Sequence, residues 1–130
     1  MVGMLVGLSG PFALVFAALT TLVFLLPFIF VPATWCRLWR WSVPADWDAL
    51  RYFVRCLGCL GLAFDGMGVY AALYRPSLLI AYIAPLAAFC AMMVVLHVYG
   101  WLKRQQPWTE TAEIPMWIGL TVACLMVLPV

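Results

Sequence analysis

The stretch LLIAYIAPLAAFCAMMVVLHVYGW, residues 78–101, decides the fold. It contains no Asp, Glu, Lys or Arg over 24 residues. A helix needs about 20 predominantly apolar residues to cross the hydrocarbon core of a bilayer. We therefore predict that residues 78–100 form a transmembrane helix.

The rest of the chain has the same character. Of its 130 residues, 68% are hydrophobic and 9% are charged, a composition typical of membrane proteins. Residues 11–30, 54–73 and 112–128 are long and apolar enough to span as well, and period-two alternation, the mark of a barrel, is absent. Because the connections are short, we predict an all-α, up-down four-helix bundle forming a single membrane domain over residues 1–130.

The basic residues indicate an orientation. Arg75 is the basic residue of the second loop, and all the others lie on the side of the first and third loops: Arg37, Arg40, Arg51, Arg55, Lys103 and Arg104. Cytoplasmic loops carry the excess of Lys and Arg. We predict a bacterial-type inner membrane, with the loops after spans 1 and 3 cytoplasmic and both termini on the non-cytoplasmic side.

The second span contains an aspartate among small residues. At about 100° per residue, four small residues fall within about 60° of Asp65 on the helix surface: Gly58, Gly61, Gly68 and Ala72. Small residues let transmembrane helices approach closely. We therefore predict a close-packing face that directs Asp65 into a protein interface.

An aspartate at this depth needs a partner or a proton, since a charged one costs roughly 2.5–3.5 kcal/mol on insertion scales. No basic residue is expected at its level, and the nearest hydroxyls are those of Thr20, Thr21 and Thr121. We predict an interhelical polar pin, with Asp65 either protonated or hydrogen-bonded to hydroxyls. Two alternatives stay open: proton or solute translocation through Asp65, and a partner group from another subunit.

Cys56 and Cys59 have the CxxC spacing of thiol-disulfide redox motifs. Both lie within an apolar helix, where we expect thiols to pack as small apolar groups. A small quinone-linked thiol redox protein using this pair stays open as an alternative. The five cysteines do not suggest a secreted disulfide framework, because four of them fall inside apolar runs.

His97 is the only histidine. A bis-histidine haem within the chain is therefore excluded, and we expect no metal site because a zinc site lacks ligands. Instead we predict a cytoplasmic-side polar cluster of Arg51, Arg55, His97, Glu110 and Glu113. Its role is interpreted as structural, with a lipid headgroup or anionic ligand as the alternative.

The pattern RYFVRCLGCLGLAFDGMGVYAALYRP, residues 51–76, has an arginine, a glycine-rich apolar helix and a short polar turn. It resembles the small four-span DoxX-like group and related uncharacterised bacterial integral membrane proteins over roughly residues 28–76. The resemblance implies a four-span membrane fold and, at most, an association with quinone-linked sulfur oxidation. No catalytic motif of that group maps onto a residue of this chain.

The sequence therefore predicts a non-catalytic multi-pass membrane subunit. It would stabilise, assemble or extend a larger membrane complex, for example an electron-transfer or pigment complex. We expect membrane lipids and other membrane protein subunits as partners, and no nucleic acid, given a net charge of only +2. We predict no catalytic residue, no metal and no dedicated cofactor, and leave contact with lipid, quinone or pigment open.

Overall fold

A computed structural model describes residues 2–130, which contain five helices and no β-strand. The four long helices are α1 (Val6–Phe30), α3 (Asp48–Tyr74), α4 (Pro76–Lys103) and α5 (Trp108–Val127), and the short helix α2 (Pro32–Leu38) follows α1. Each long helix has the length and the apolar composition needed to cross a membrane. The predictions of an all-helical fold and of four apolar helices are thus confirmed, although every long helix begins before its predicted span.

Consecutive long helices run antiparallel. The most extensive packing is between α4 and α5 and between α1 and α3, and α3 also packs on α4. Along α1 and α3 the residue numbers run in opposite directions: Gly10 faces Ala72, whereas Leu25 lies against Gly61. The result is two helical hairpins joined at the turn between α3 and α4.

The small residues of α3 are covered by side chains of this chain. A Cβ added to Gly58 would lie 2.8 Å from Ile29 Cγ1, and one added to Gly61 would overlap Leu25. At Gly68 an added Cβ would lie 2.5 Å from the ring of Tyr82. The predicted glycines therefore hold α3 against α1 and α4, and Ala72 packs at the edge of the same core.

The centre of the bundle is built mainly from α4. Its Tyr82, Ile83 and Cys90 are fully buried, as is Cys124 of α5. The small thiol side chains of Cys90 and Cys124 let α4 and α5 pack closely within this core. Cys90 and Cys124 thus act as packing residues, in keeping with the usual burial of free thiols.

Two backbone carbonyls of α1 accept hydrogen bonds from side chains of other segments. Residue 27 is a proline, so no N–H lies four residues after Val23. The indole nitrogen of Trp35 donates to the Val23 carbonyl at 2.7 Å instead. At the end of the helix, Arg55 Nε donates to the Ile29 carbonyl at 3.1 Å, which fills one of the carbonyls that a helix terminus leaves free.

Both ends of the chain meet at one end of the bundle. The amides of Gly3 and Leu5 donate to the carbonyls of Leu125 and Met126 at 3.0 and 2.8 Å. The Ser9 hydroxyl lies within hydrogen-bonding distance of the Val127 carbonyl. The N-terminal segment thereby satisfies the last carbonyls of α5, and α2 and the third loop lie at the opposite end.

Candidate functional site

A buried carboxylate joins three of the long helices. Asp65 of α3 is 5% exposed. Its Oδ2 lies 2.6 Å from the Thr20 hydroxyl and 3.1 Å from the Thr21 hydroxyl, both on α1. Its Oδ1 lies 3.2 Å from the hydroxyl of Tyr82 on α4. We call Asp65, Thr20, Thr21 and Tyr82 the central cluster.

Local irregularities bring these hydroxyls together. A widened, five-residue turn of α1 covers Thr21–Leu25, and such turns are frequent at functional sites. On the other side, the absent side chain of Gly68 leaves the space that the Tyr82 ring occupies. The ring thus crosses α3 next to Asp65, and its hydroxyl is held within the buried core.

The central cluster has two consistent proton arrangements. The Thr20 hydroxyl has one proton, but the Phe16 carbonyl lies 2.8 Å away and Asp65 Oδ2 lies 2.6 Å away. Either Thr20 donates to a carboxylate, or a protonated Asp65 donates to Thr20 while Thr20 donates to Phe16. Both arrangements link α1 to α3 by a short hydrogen bond, so both match a polar pin between helices.

The structure places the predicted Thr121 outside the central cluster and adds Tyr82, which was not predicted. The Thr121 hydroxyl donates to the Trp117 carbonyl at 2.8 Å, the four-residue back-bond typical of helical threonine. It does not join the central cluster, because α5 packs on α4 and not on the Asp65 side of α3. Tyr82 was missed because the sequence indicated only threonine hydroxyls near the depth of Asp65. A tyrosine side chain is long enough to reach Asp65 from a neighbouring turn of α4.

A second polar group lies at the end of the bundle that carries α2. The side chain of His97 on α4 is 3% exposed, and its Nε2 lies 3.1 Å from Glu110 Oε2 and 3.7 Å from Glu113 Oε2. Both glutamates are near the start of α5. The His97 Nδ1 lies 2.7 Å from the Met93 carbonyl oxygen, one helical turn earlier.

Indole groups hold the two glutamates from outside. Trp39 Nε1 donates to Glu113 Oε1 at 2.6 Å, and Trp41 Nε1 donates to Glu110 Oε1 at 2.8 Å. These tryptophans follow α2, so they tie the first loop to the start of α5. We call His97, Glu110, Glu113, Trp39 and Trp41 the loop-end cluster.

The two predicted arginines do not join the loop-end cluster. Arg51 pairs with Asp48 at 3.2 Å and lies over the ring of Trp47, while Arg55 donates to the end of α1. Both arginines are on α3, which packs on α1, whereas His97 and the glutamates lie between α4 and α5. The prediction of a five-residue cluster was therefore wrong for Arg51 and Arg55.

The tryptophans of the loop-end cluster were missed by the sequence analysis. The signal was present as the aromatic run around residues 35–41, but a membrane-interface belt accounts for such residues equally well. Only the fold shows that two indole N–H groups reach acidic side chains more than sixty positions away in the chain.

The loop-end cluster also contains a set of metal-ligand atoms. One ligand atom each from His97, Glu110 and Glu113 lies within 4.8 Å of the others. We predicted no metal site because the sequence lacks the several histidine or cysteine ligands of a typical zinc site. A mixed set of one imidazole and two carboxylates is a different donor set, and it becomes visible only when α4 and the start of α5 are brought together.

The cysteines of the CxxC motif face outward. Cys56 and Cys59 are both exposed and unpaired in the part of the chain that the structure describes. Cys36 of α2 is partly buried beside Glu110, and this burial raises the pKa of its thiol above the ordinary value, with a smaller contribution from the Glu110 charge. None of these geometries brings two thiols into a disulfide.

Compared with protein-family models, curated proteins and solved structures, the chain matches none of them.

Proposed function

We propose that this protein is a multi-pass membrane subunit that binds a transmembrane helix of another membrane protein through the outer face of α3. In this proposal the chain lies in a bacterial-type inner membrane, with the loops after α1 and α4 on the cytoplasmic side. Its role is to stabilise, assemble or extend a membrane complex, without catalysis of its own.

The outer surface of the bundle supports insertion in a membrane. Large apolar side chains point outward from every long helix, among them Leu22, Leu60, Val95 and Ile118, which are 66%, 68%, 70% and 48% exposed. Apolar surface this extensive requires lipid or protein to cover it.

The outer face of α3 supports a protein partner. At about 100° per residue, Cys59, Ala63, Gly66 and Tyr70 fall within about 60° of one another, and all four are exposed. We call these four residues the outer stripe. It lies on the side of α3 away from Asp65, so the rest of this chain does not cover it.

Gly66 is the observation that carries the proposal. An added Cβ at Gly66 would meet no atom within 4 Å, unlike one at Gly58, Gly61 or Gly68. Glycine within a helix is about 1 kcal/mol less favourable than alanine, and no packing inside this chain offsets that cost at Gly66. Close approach of a helix from another protein would offset this cost.

The exposed alanines of α4 do not support an interface in the same way. Ala81, Ala84 and Ala88 also point outward. Alanine has the highest intrinsic helix propensity, so an alanine that faces lipid needs no packing partner to explain it. Gly119 of α5 is as uncovered as Gly66, but its exposed neighbours on that face include the larger Met116 and Val122. The choice of α3 therefore follows from Gly66 together with the small residues Cys59 and Ala63 beside it.

Steric blocking of the outer stripe tests this function. We expect Ala63→Leu and Gly66→Leu to abolish association with the partner in mild-detergent extracts of native membranes. The matched control is Ala18→Leu, which adds the same bulk to an exposed position of α1 among large apolar side chains. A complex that survives both α3 variants, or is lost equally in the control, contradicts the proposal.

The same variants distinguish the kinds of partner. Mass measurement of the intact complex separates a second copy of this chain from a different membrane protein, and a second copy would contradict the proposed role. A Cys56→Ser variant removes one thiol of the CxxC pair and leaves all four residues of the outer stripe in place, so it should keep the association. Loss of association on this change would favour the alternative of a thiol redox protein.

A further inference from the structure

We propose that the loop-end cluster is a binding site for a divalent transition-metal ion, with His97, Glu110 and Glu113 as its ligands. This inference does not depend on the outer stripe, which lies on a different helix.

The first argument is the tautomer of His97. Its Nδ1 lies 2.7 Å from the Met93 carbonyl oxygen, and a carbonyl can only accept a hydrogen bond. The proton of a neutral ring therefore sits on Nδ1. This leaves the lone pair of Nε2 directed at the oxygens of Glu110 and Glu113, 3.1 and 3.7 Å away.

Three atoms that can each donate an electron pair to a cation converge here: Nε2 of His97 and one oxygen each of Glu110 and Glu113. The side chain of His97 is 3% exposed, so bulk water does not separate these groups. A single bound cation would contact all three atoms.

The separations suit a bound ion. Zinc binds imidazole nitrogen and carboxylate oxygen at about 2.0–2.2 Å, and tetrahedral geometry then separates two ligand atoms by about 3.3–3.6 Å. The observed 3.1 and 3.7 Å lie on either side of this range. All three ligand atoms lie within 4.8 Å of one another, so small side-chain movements complete the coordination.

The outer contacts match those of metal ligands. A metal-bound histidine usually donates its other ring N–H to a carbonyl or carboxylate, and bound carboxylates are themselves hydrogen-bonded. Here His97 Nδ1 faces the Met93 carbonyl, and Trp39 and Trp41 donate to the glutamate oxygens that point away from His97. Each proposed ligand is thus oriented by an outer contact, and Glu113 has a second one, since the indole N–H of Trp117 donates to its Oε2 at 3.2 Å.

The donor set defines the class of ion. One imidazole and two carboxylates suit Zn²⁺, Fe²⁺ or Mn²⁺ better than the thiolate-preferring Cu⁺. Three protein ligands also leave at least one coordination position for water or an external ligand. We therefore expect an open site at the membrane surface end of the bundle.

The test is metal binding by the purified full chain after treatment with a chelator. We expect one Co²⁺ per chain, with visible absorption bands of low-coordinate Co²⁺ and displacement by Zn²⁺. His97→Gln and Glu110→Gln should each weaken binding by at least 100-fold. Asp48→Asn removes an exposed carboxylate elsewhere and is the matched control.

Trp41→Phe keeps the test informative if a ligand variant fails to fold. It removes only the N–H donated to Glu110, and loss of such an outer contact typically weakens metal binding 10- to 100-fold. Helix content by circular dichroism should stay unchanged in this variant. Absence of Co²⁺ binding, binding that no variant weakens, or a doubly protonated His97 ring by ¹⁵N NMR in metal-saturated protein overturns the proposal.

Discussion

Gly68→Ala tests the packing of the central cluster without changing any polar atom. The added Cβ would lie 2.5 Å from the Tyr82 ring, whereas ordinary contacts begin near 3.4 Å. The ring must therefore move by about 1 Å, the difference between the two distances. The hydrogen bond from Tyr82 to Asp65 is already 3.2 Å long, so we expect this movement to break it.

The expected loss of stability combines three effects. Overpacking of a close-packed core costs about 1–3 kcal/mol. An interhelical hydrogen bond in a membrane protein contributes about 0.6–1.7 kcal/mol. Replacing a helical glycine by alanine returns about 1 kcal/mol. We expect Gly68→Ala to lower the free energy of unfolding by about 0.6–3.7 kcal/mol.

Gly66→Ala is the matched control. It makes the same chemical change two residues away on α3, at a position where an added Cβ meets no atom within 4 Å. The purified protein should keep its stability or gain up to about 1 kcal/mol. The difference between the two variants thus isolates the contact with Tyr82.

A double-mutant cycle with Tyr82→Phe separates the hydrogen bond from the steric effect. Tyr82→Phe should cost about 0.6–1.7 kcal/mol in the original protein. It should cost almost nothing in the Gly68→Ala background, where the hydrogen bond is already broken. The assay is reversible unfolding in mixed micelles with increasing sodium dodecyl sulfate, followed by tryptophan fluorescence. Equal stability of the two alanine variants, or an equal cost of Tyr82→Phe in both backgrounds, refutes the reasoning.

Three further predictions concern single contacts. Thr20→Val should destabilise the protein by about 1 kcal/mol in the same micelle assay, whereas Thr121→Val, which removes only a local back-bond, should change stability by less than about 0.5 kcal/mol. Trp35→Phe should cost about 1 kcal/mol, and less in a Pro27→Ala background, where a backbone N–H replaces the indole donor; equal costs would contradict this. Because burial raises its pKa, Cys36 should be alkylated with a midpoint above the value of about 8.5 for free thiols, and a midpoint at or below that value in a rate–pH profile would contradict this.

The helices and their antiparallel order follow from the sequence because bilayer thickness sets a simple length rule. An apolar run such as residues 78–101 has no other stable state in a membrane. The packing of α1 on α3 was also predictable in part, since the small residues around Asp65 mark a surface for close approach. Which residues cover the glycines, for example Leu25 and Tyr82, depends on how the neighbouring helices are rotated about their axes. A run of uniformly apolar residues gives no pattern from which this rotation can be predicted.

The partners within the loop-end cluster were only partly predictable from the sequence. The grouping of His97 with Glu110 and Glu113 was anticipated from depth, because these residues lie near the ends of consecutive helices. The absence of Arg51 from this group was not anticipated, because an arginine at the same depth on a different helix looks equivalent in a sequence. Which pair of helices shares an interface decides the partners, and that depends on packing over the whole bundle.

Site-specific photocrosslinking in native membranes tests the proposed partner surface most directly. Tyr70 on the outer stripe and Phe89 on α4 are aromatic and nearly equally exposed, at 48% and 49%, so benzoylphenylalanine replaces each with little disturbance. We expect a protein adduct of one discrete mass from position 70, lost when Ala63→Leu is added, and only lipid adducts from position 89. Lipid adducts alone from position 70, or the same protein adduct from both positions, would contradict it.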